Sequence, residues 1–250
     1  MKSYKEIFKK KQILPYIMIG DGGFHKSHEL LDLYIENGAE IVELGIPFSD
    51  PSADGPIIQG AAQRSLDNGY TIKKCIDFIY KSKSKYPNLK FIIMTYLNPI
   101  LNYGIEQFII DSKPDGLIIP DLPFEEYELI LPYAKKHDVN IIPLITIDTD
   151  INRIKSILDV SSGFIYMISL KGTTGNKSAN LASTKNLVNE IRALTDLPLV
   201  AGFGIKTKQQ VTEFLKFYDG VIIASELIKL HQLGHNHKVV DLLKSKKAVI

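Results

Sequence analysis

The chain has no tryptophan, a single cysteine and little net charge, and each shortage narrows what it can be. Cys75 alone excludes an intrachain disulfide and fits a reducing compartment. It lies in a helix-like stretch with no histidine close in sequence, so the thiol reads as inert and buried. No apolar segment reaches the roughly eighteen residues a bilayer span needs, and the first residues, Met-Lys-Ser-Tyr-Lys-Glu-Ile-Phe, hold no signal-peptide core. The expectation is a soluble, intracellular protein with no membrane partner, in the bacterial cytoplasm by default or the plastid stroma if plastid-encoded. Lys+Arg 30 against Asp+Glu 28 leaves +2. That balance argues against nucleic acid, which needs a clustered basic face. The runs Lys9-Lys10-Lys11 and Lys244-Ser245-Lys246-Lys247 read as solvated termini.

What the chain does have is apolar residues, 45% of 250, enough for a sizeable core. A short amphipathic helix around residues 3–10 leads to an apolar strand, 14–20. The turn Asp21-Gly22-Gly23 follows, then a helix opened by Lys26 or Ser27 and ended at Asn37-Gly38. After the strand around Glu43, helical pieces at 59–66 and 71–85 are split at Asn68-Gly69. The alternation then continues: strands at 91–96, 116–120, 139–145, 164–169, 197–201 and 220–224, with helices at 105–110, 125–137, 152–158, 187–194, 209–217 and 238–244. The strands are mostly unbroken Val/Ile/Leu runs, which means both faces are covered, as in a parallel sheet wrapped by helices. Eight such units in 250 residues fit an α/β fold, a (β/α)8 TIM barrel, as one domain over residues 1–250. An open doubly wound sheet is the runner-up, disfavoured because no Gly-x-Gly-x-x-Gly turn follows the first strand.

In such a barrel, chemistry sits at the strands' C-terminal ends. Residues 40–56 read Glu-Ile-Val-Glu-Leu-Gly-Ile-Pro-Phe-Ser-Asp-Pro-Ser-Ala-Asp-Gly-Pro. As a strand, the first half sends Ile41 and Glu43 to one face and Val42 and Leu44 to the other. Glu43 is then a carboxylate within an apolar strand. Burying it charged is costly, and its escapes are a partner, a ligand or a raised pKa, the last being what a general acid near neutral pH needs. Pro47, Pro51 and Pro56 end the sheet, and the loop brings Asp50 and Asp54 near the same mouth. Each of these two is also readable as a turn residue or helix cap.

Three late strand ends are rich in small residues: Ser169-Leu-Lys-Gly-Thr-Thr-Gly175, Gly202-Phe-Gly-Ile205, and Ala224-Ser225-Glu226 at a helix start. Small residues let backbone N–H groups approach an anion, and a helix N-terminus adds its dipole. Gly175, Gly204 and Ser225 thus read as a cradle for a phosphate monoester; Lys171 adds charge or is simply solvated. His231, His235 and His237 lack a carboxylate to complete a metal-ligand spacing, and Gly234 interrupts them, so they read as a surface loop with no metal.

The first motif, together with Gly-Thr-Thr-Gly and Gly-Phe-Gly-Ile, resembles the tryptophan synthase α subunit family over nearly the whole chain. The resemblance implies a lyase that splits indole-3-glycerol phosphate into indole and D-glyceraldehyde 3-phosphate. It implies Glu43 as general acid and base, and Asp54 as acceptor of the indole N–H. Tyr166 would lie near Glu43, and Thr174 would hydrogen-bond Asp54. Gly175, Phe203, Gly204, Ala224 and Ser225 would take the phosphate. Tyr16, Met94, Tyr96 and Ile119-Pro120 would line the indole pocket, each equally readable as barrel packing. The family's β subunit, which carries pyridoxal phosphate, would face Asp50 and Pro51 together with a loop at Asn98-Pro99 and Asn102, in an α2β2 assembly; no cofactor is expected on this chain. Two departures stand out: Ala224 where the family has glycine, and Gly22 where it has proline. Alternatives in view are a stand-alone lyase, a sugar-phosphate isomerase or epimerase barrel, and a non-catalytic barrel that activates a β partner.

Overall fold

The computed structural model describes residues 2–168, 177–202 and 204–246. Its strands form one all-parallel sheet in the order β5-β4-β3-β2-β1-β9-β8-β7-β6. They are β1 (Gln12–Met18), β2 (Ile41–Gly45), β3 (Lys90–Met94), β4 (Gly116–Ile118), β5 (Asn140–Ile141), β6 (Leu144–Thr146), β7 (Ile165–Ile168), β8 (Leu199–Gly202) and β9 (Gly220–Ile223). The two edges, β5 and β6, are halves of one run interrupted at Ile142-Pro143. Proline has no N–H to give to a ladder. The run pairs with β4 before the break and with β7 after it, and Ile142 N–H to Leu117 O (2.9 Å) and Tyr166 N–H to Pro143 O (3.0 Å) carry the pairing across. The sheet therefore closes on itself as an eight-stranded (β/α)8 barrel.

Side-chain alternation along these strands makes two cores. Val42, Leu44, Phe91, Ile93, Leu117 and Ile119 belong to the outer one, between strands and helices. Ile41, Tyr16, Ile92, Met94, Ile118 and Val200 belong to the inner one, within the ring. The short helix α1 (Tyr4–Ile7), capped by a Ser3–Glu6 capping box, closes the N-terminal end of the ring: Tyr4 and Phe8 each pack against Phe164 with ring centroids 5.9 Å apart.

The helices depart from the sequence expectation in instructive places. α2 (Phe24–Glu36) starts before Lys26, and α3 (Pro56–Asp67) starts at a proline, whose missing N–H costs nothing at the first helical position. α4 is Ile72–Lys85. The stretch after β3, expected to be a loop, is a helix, α5 (Leu97–Tyr103), with Pro99 tolerated in the first turn; α6 (Ile105–Ser112) follows. The single helix expected at 125–137 is a 3-10 segment, Phe124–Leu129, followed by α7 (Leu131–Lys136), because Pro132 cannot continue the hydrogen-bond ladder. α8 is Ile151–Val160, α9 runs over Lys177–Leu194, ten residues earlier than expected, and α10 is Lys208–Leu215. The histidines read as a surface loop lie on or beside α11 (Ser225–Gln232) and α12 (Asn236–Lys244), with Gly234 (φ +71) turning the chain between them. Among the described residues no His/Cys/Asp/Glu group could hold a metal, and no helix is long and apolar enough to cross a membrane.

Nor are the basic ends simply solvated. Lys11 Nζ donates to Tyr218 O (2.7 Å) and Lys246 Nζ to Gly38 O (2.7 Å), both tying the chain's ends to the barrel. Cys75 is buried in α4, which pushes its thiol up to about 12.

Candidate active site

A cavity of about 320 Å³ opens at the C-terminal ends of the strands. Glu43 projects into it from the middle of β2, in register with Tyr16 on β1 and Ile92 on β3. Alternation along the strand puts it there: Ile41 lies in the inner core and its neighbours Val42 and Leu44 in the outer one. Only 5% of Glu43 is exposed, and its Oε2 has no hydrogen-bond partner. Burial, with the nearby Asp54 charge second, pushes its carboxyl up to about 8. At neutral pH Glu43 is therefore an acid holding its proton.

Asp54 reaches the cavity from the loop between β2 and α3, and that loop is pinned by one residue, Tyr96. The Tyr96 hydroxyl accepts from Ala53 N–H (3.1 Å) and donates to Asp54 Oδ2 (3.0 Å), while its ring packs on Phe48 at 5.3 Å. Within the loop, Asp54 N–H bonds Pro51 O (3.1 Å) and Gln59 Nε2 bonds Asp54 O (2.8 Å). Burial pushes the Asp54 carboxyl up to about 6, against the downward pull of the Tyr96 hydrogen bond. Asp54 is thus mostly ionised at pH 7 while Glu43 is mostly neutral, two carboxyls kept apart by their surroundings.

Tyr16, Met94 and Tyr166 also line the cavity. Ile119 does not: it packs in the outer core, and its neighbours Ile118 and Pro120 face the cavity instead. Tyr96 holds the loop rather than lining the wall, a role that no local sequence signal announces.

Gly204 (φ +73), Ala224 and Ser225 lie together at one side of the cavity. Ser225 opens α11, whose first backbone bond is Ile228 N–H to Ala224 O (3.1 Å), so the N–H groups of residues 225–227 are left without intrahelical partners. Ala224 has φ −112, which any residue adopts, so its Cβ is accommodated without strain. Gly22 has φ +75, a conformation closed to the proline that the resemblance led one to expect there. Sequence reasoning missed Lys206, the one cation among the described lining residues; its place directly after Gly-Phe-Gly-Ile was the available signal. Thr174, Gly175, Lys171 and Phe203 lie outside the described residues. Away from the cavity, Asp50 is exposed and accepts from Ser49 Oγ (2.5 Å), Pro51 shares its loop, and Asn98 and Asn102 stand one turn apart on α5, joined at 3.3 Å.

The family model described as tryptophan synthase alpha chain matches residues 3–248. The chain belongs to the tryptophan synthase alpha chain family. Its alpha reaction is a lyase activity, in tryptophan biosynthesis. A tryptophan synthase alpha chain of Bacillus cereus (strain ATCC 10987 / NRS 248) is 41% identical over 241 residues, covering 95% of this chain and 93% of that one. Among solved structures, a chain from Aquifex aeolicus VF5 superposes with a TM-score of 0.90 at 32% identity, covering 100% of this chain and 99% of that one. A tryptophan synthase alpha chain from Legionella pneumophila subsp. pneumophila gives 0.86 at 29% identity, covering 100% and 98%.

Proposed function

We propose that this chain cleaves indole-3-glycerol phosphate to indole and D-glyceraldehyde 3-phosphate, with Glu43 and Asp54 as the catalytic pair. The observation that carries the reading is Glu43: a protonated, buried carboxyl with an unpartnered oxygen facing a cavity whose other carboxyl is ionised. Retro-aldol cleavage needs that division. Neutral Glu43 gives its proton to indole C3, and the ring becomes a cationic indolenine. Ionised Asp54 accepts the indole N–H and stabilises the positive charge. The Glu43 carboxylate then takes the proton of the glycerol hydroxyl, the O–H electron pair becomes the aldehyde C=O, and the pair of the breaking C–C bond returns to the ring. Glu43 ends protonated, ready for the next turn. These steps use only this chain's carboxyls, and we assign it no cofactor of its own.

For the phosphate, the reading uses the open N-terminus of α11, the Ser225 hydroxyl and the backbone at Gly204 and Ala224, with Gly175 and Phe203 completing the set. Tyr166, partly buried beside both carboxyls, stays protonated well above its ordinary range through burial and their charges. Thr174 would hydrogen-bond Asp54. Tyr16 and Met94 would flank the indole.

We further assign the chain a pyridoxal phosphate-carrying β subunit as partner, in an α2β2 assembly, facing Asp50, Pro51, Asn98 and Asn102. Asp50, Asn98 and Asn102 are exposed at the cavity's end of the barrel, and Leu101 on the same helix is 47% exposed. The closed ring of strands supports one domain over residues 1–250, and the lone buried thiol fits the cytoplasm or the plastid stroma.

The test is indole release from indole-3-glycerol phosphate by the purified chain and by Glu43→Gln, each with and without a tryptophan synthase β subunit. Release that rises with β and vanishes in Glu43→Gln is expected. Fast release without β would point to a stand-alone lyase, and no release under any condition, from folded protein with a compatible β subunit, sinks the assignment.

A further inference from the structure

Two polar atoms on neighbouring strands of the cavity wall lack the hydrogen bonds that burial demands. One is Glu43 Oε2, with no partner. The other is the hydroxyl of Tyr16, a residue only 1% exposed, whose recorded contact is Met18 Sδ at 3.9 Å. A thioether is a weak acceptor, so the phenol is close to unsatisfied. Tyr16 and Glu43 are register partners across the β1–β2 ladder, and both face the cavity, yet they do not hydrogen-bond each other.

The direction of the phenol is fixed by a glycine. A Cβ built on Gly45 would fall 1.8 Å from the Tyr16 hydroxyl oxygen, so the phenol occupies the room that a side chain at position 45 would fill. Gly45 lies two residues beyond Glu43 on the same face of β2. The phenol oxygen therefore rises past Glu43 toward the mouth. From the helix side, the Tyr34 hydroxyl donates to the Tyr16 carbonyl (3.1 Å) and steadies the backbone that carries the ring. Burial and then the Asp54 and Glu43 charges keep the phenol protonated, so it serves as a donor and never as a base.

We propose that Tyr16 contacts the substrate, its hydroxyl donating to the oxygen of the substrate hydroxyl whose proton Glu43 removes. The inference rests on the lyase reading above. One ligand oxygen placed between the two strands satisfies both orphan atoms: it accepts from Tyr16 and donates to Glu43 Oε2. The alcohol is thereby turned with its O–H toward the base, which is an orienting contribution to the step and a selection for substrates that carry a hydroxyl at that carbon.

The experiment compares wild type and Tyr16→Phe in two assays: cleavage of indole-3-glycerol phosphate, and binding of an indole bearing an unsubstituted propyl phosphate chain, which lacks both glycerol hydroxyls. Loss of one such hydrogen bond should lower kcat/KM about 10- to 100-fold, mainly through kcat. The deoxy ligand should bind the variant at least as tightly as wild type, because it leaves the wild-type phenol unpaired. That retained affinity also reports a folded site. Equal cleavage by both proteins overturns the proposal. So does a parallel loss of deoxy-ligand affinity, which would make Tyr16 a packing residue. A wild type that binds the deoxy ligand but cleaves nothing takes down the lyase reading and this inference with it.

Discussion

The barrel buries a carboxylate at each of its ends, and the two are treated in opposite ways. At the N-terminal end, Asp115 accepts from Lys83 Nζ (2.8 Å), Lys90 Nζ (3.2 Å) and Phe91 N–H (2.9 Å). At the C-terminal end, Glu43 has an oxygen with no partner at all and keeps its proton instead. The first arrangement is what a buried charge needs to be tolerated. The second is tolerable only as a neutral acid, and it leaves hydrogen-bonding capacity for a ligand. Asp115 holds the ends of β3 and α4 together, whereas Glu43 is left open to a ligand at a cost to stability.

Mutation separates the two most sharply. Glu43→Gln should lower indole release by about 10²- to 10⁴-fold, the span of a lost general acid and base, with the thermal midpoint unchanged or raised. Asp115→Asn should do the reverse: a loss of about 3 kcal/mol in urea unfolding, because two lysines lose their charge partner in a buried setting, with kcat of the folded protein kept. A Glu43→Gln protein that unfolds easily, or an Asp115→Asn protein as stable as wild type, would erase the contrast.

Titration sharpens the same comparison. Glu43 is raised from 4.5 to about 8, so between those values the unfolded chain has released a proton that the folded one retains. Its contribution is fully present below about 4.5 and is lost as pH rises toward 8, at up to about 1.4 kcal/mol per pH unit. Unfolding measured from pH 5 to 8 should show this decline in wild type and a flatter curve in Glu43→Gln. The proposed mechanism needs Asp54 ionised and Glu43 protonated, so kcat/KM should peak between about 6 and about 8. The smallest effect expected is that of Tyr96→Phe. Losing its hydrogen bond to Asp54 frees the loop and removes the pull that lowers that carboxyl, so kcat/KM should fall about tenfold, as for one hydrogen bond to a charged group, and the acid limb should move upward. An unmoved acid limb would show that Tyr96 does not tune Asp54.

How much of this was written in the chain follows from the range of each signal. Glu43 was legible because period-two alternation in residues 40–44 is local, and so was the barrel, from unbroken apolar runs between helical ones. The α5 helix was hidden because Asn98-Pro99 reads as a turn, although proline in a first helical turn is harmless. Ile119 was misplaced by one residue at a strand end, where a shift of one exchanges the two faces. Tyr96 was seen only as a pocket wall, because its two partners at residues 53 and 54 come to it through the fold. Pro143 announced a break in its strand, but only the flanking pairings show that the break leaves the ring closed.

The plugged floor of the barrel has a consequence for the order of events in a turnover. With Tyr4, Ile7, Phe8 and Phe164 filling the base of the ring, and Lys90 laid over the Tyr4 ring, the floor is closed among the described residues, and the cavity opens at the strands' C-terminal ends beside the loop that carries Asp54. On the proposed reaction, substrate enters and both products leave at that end. Whatever docks over the rim there then decides which half of the cleaved molecule leaves into solvent and which is handed on.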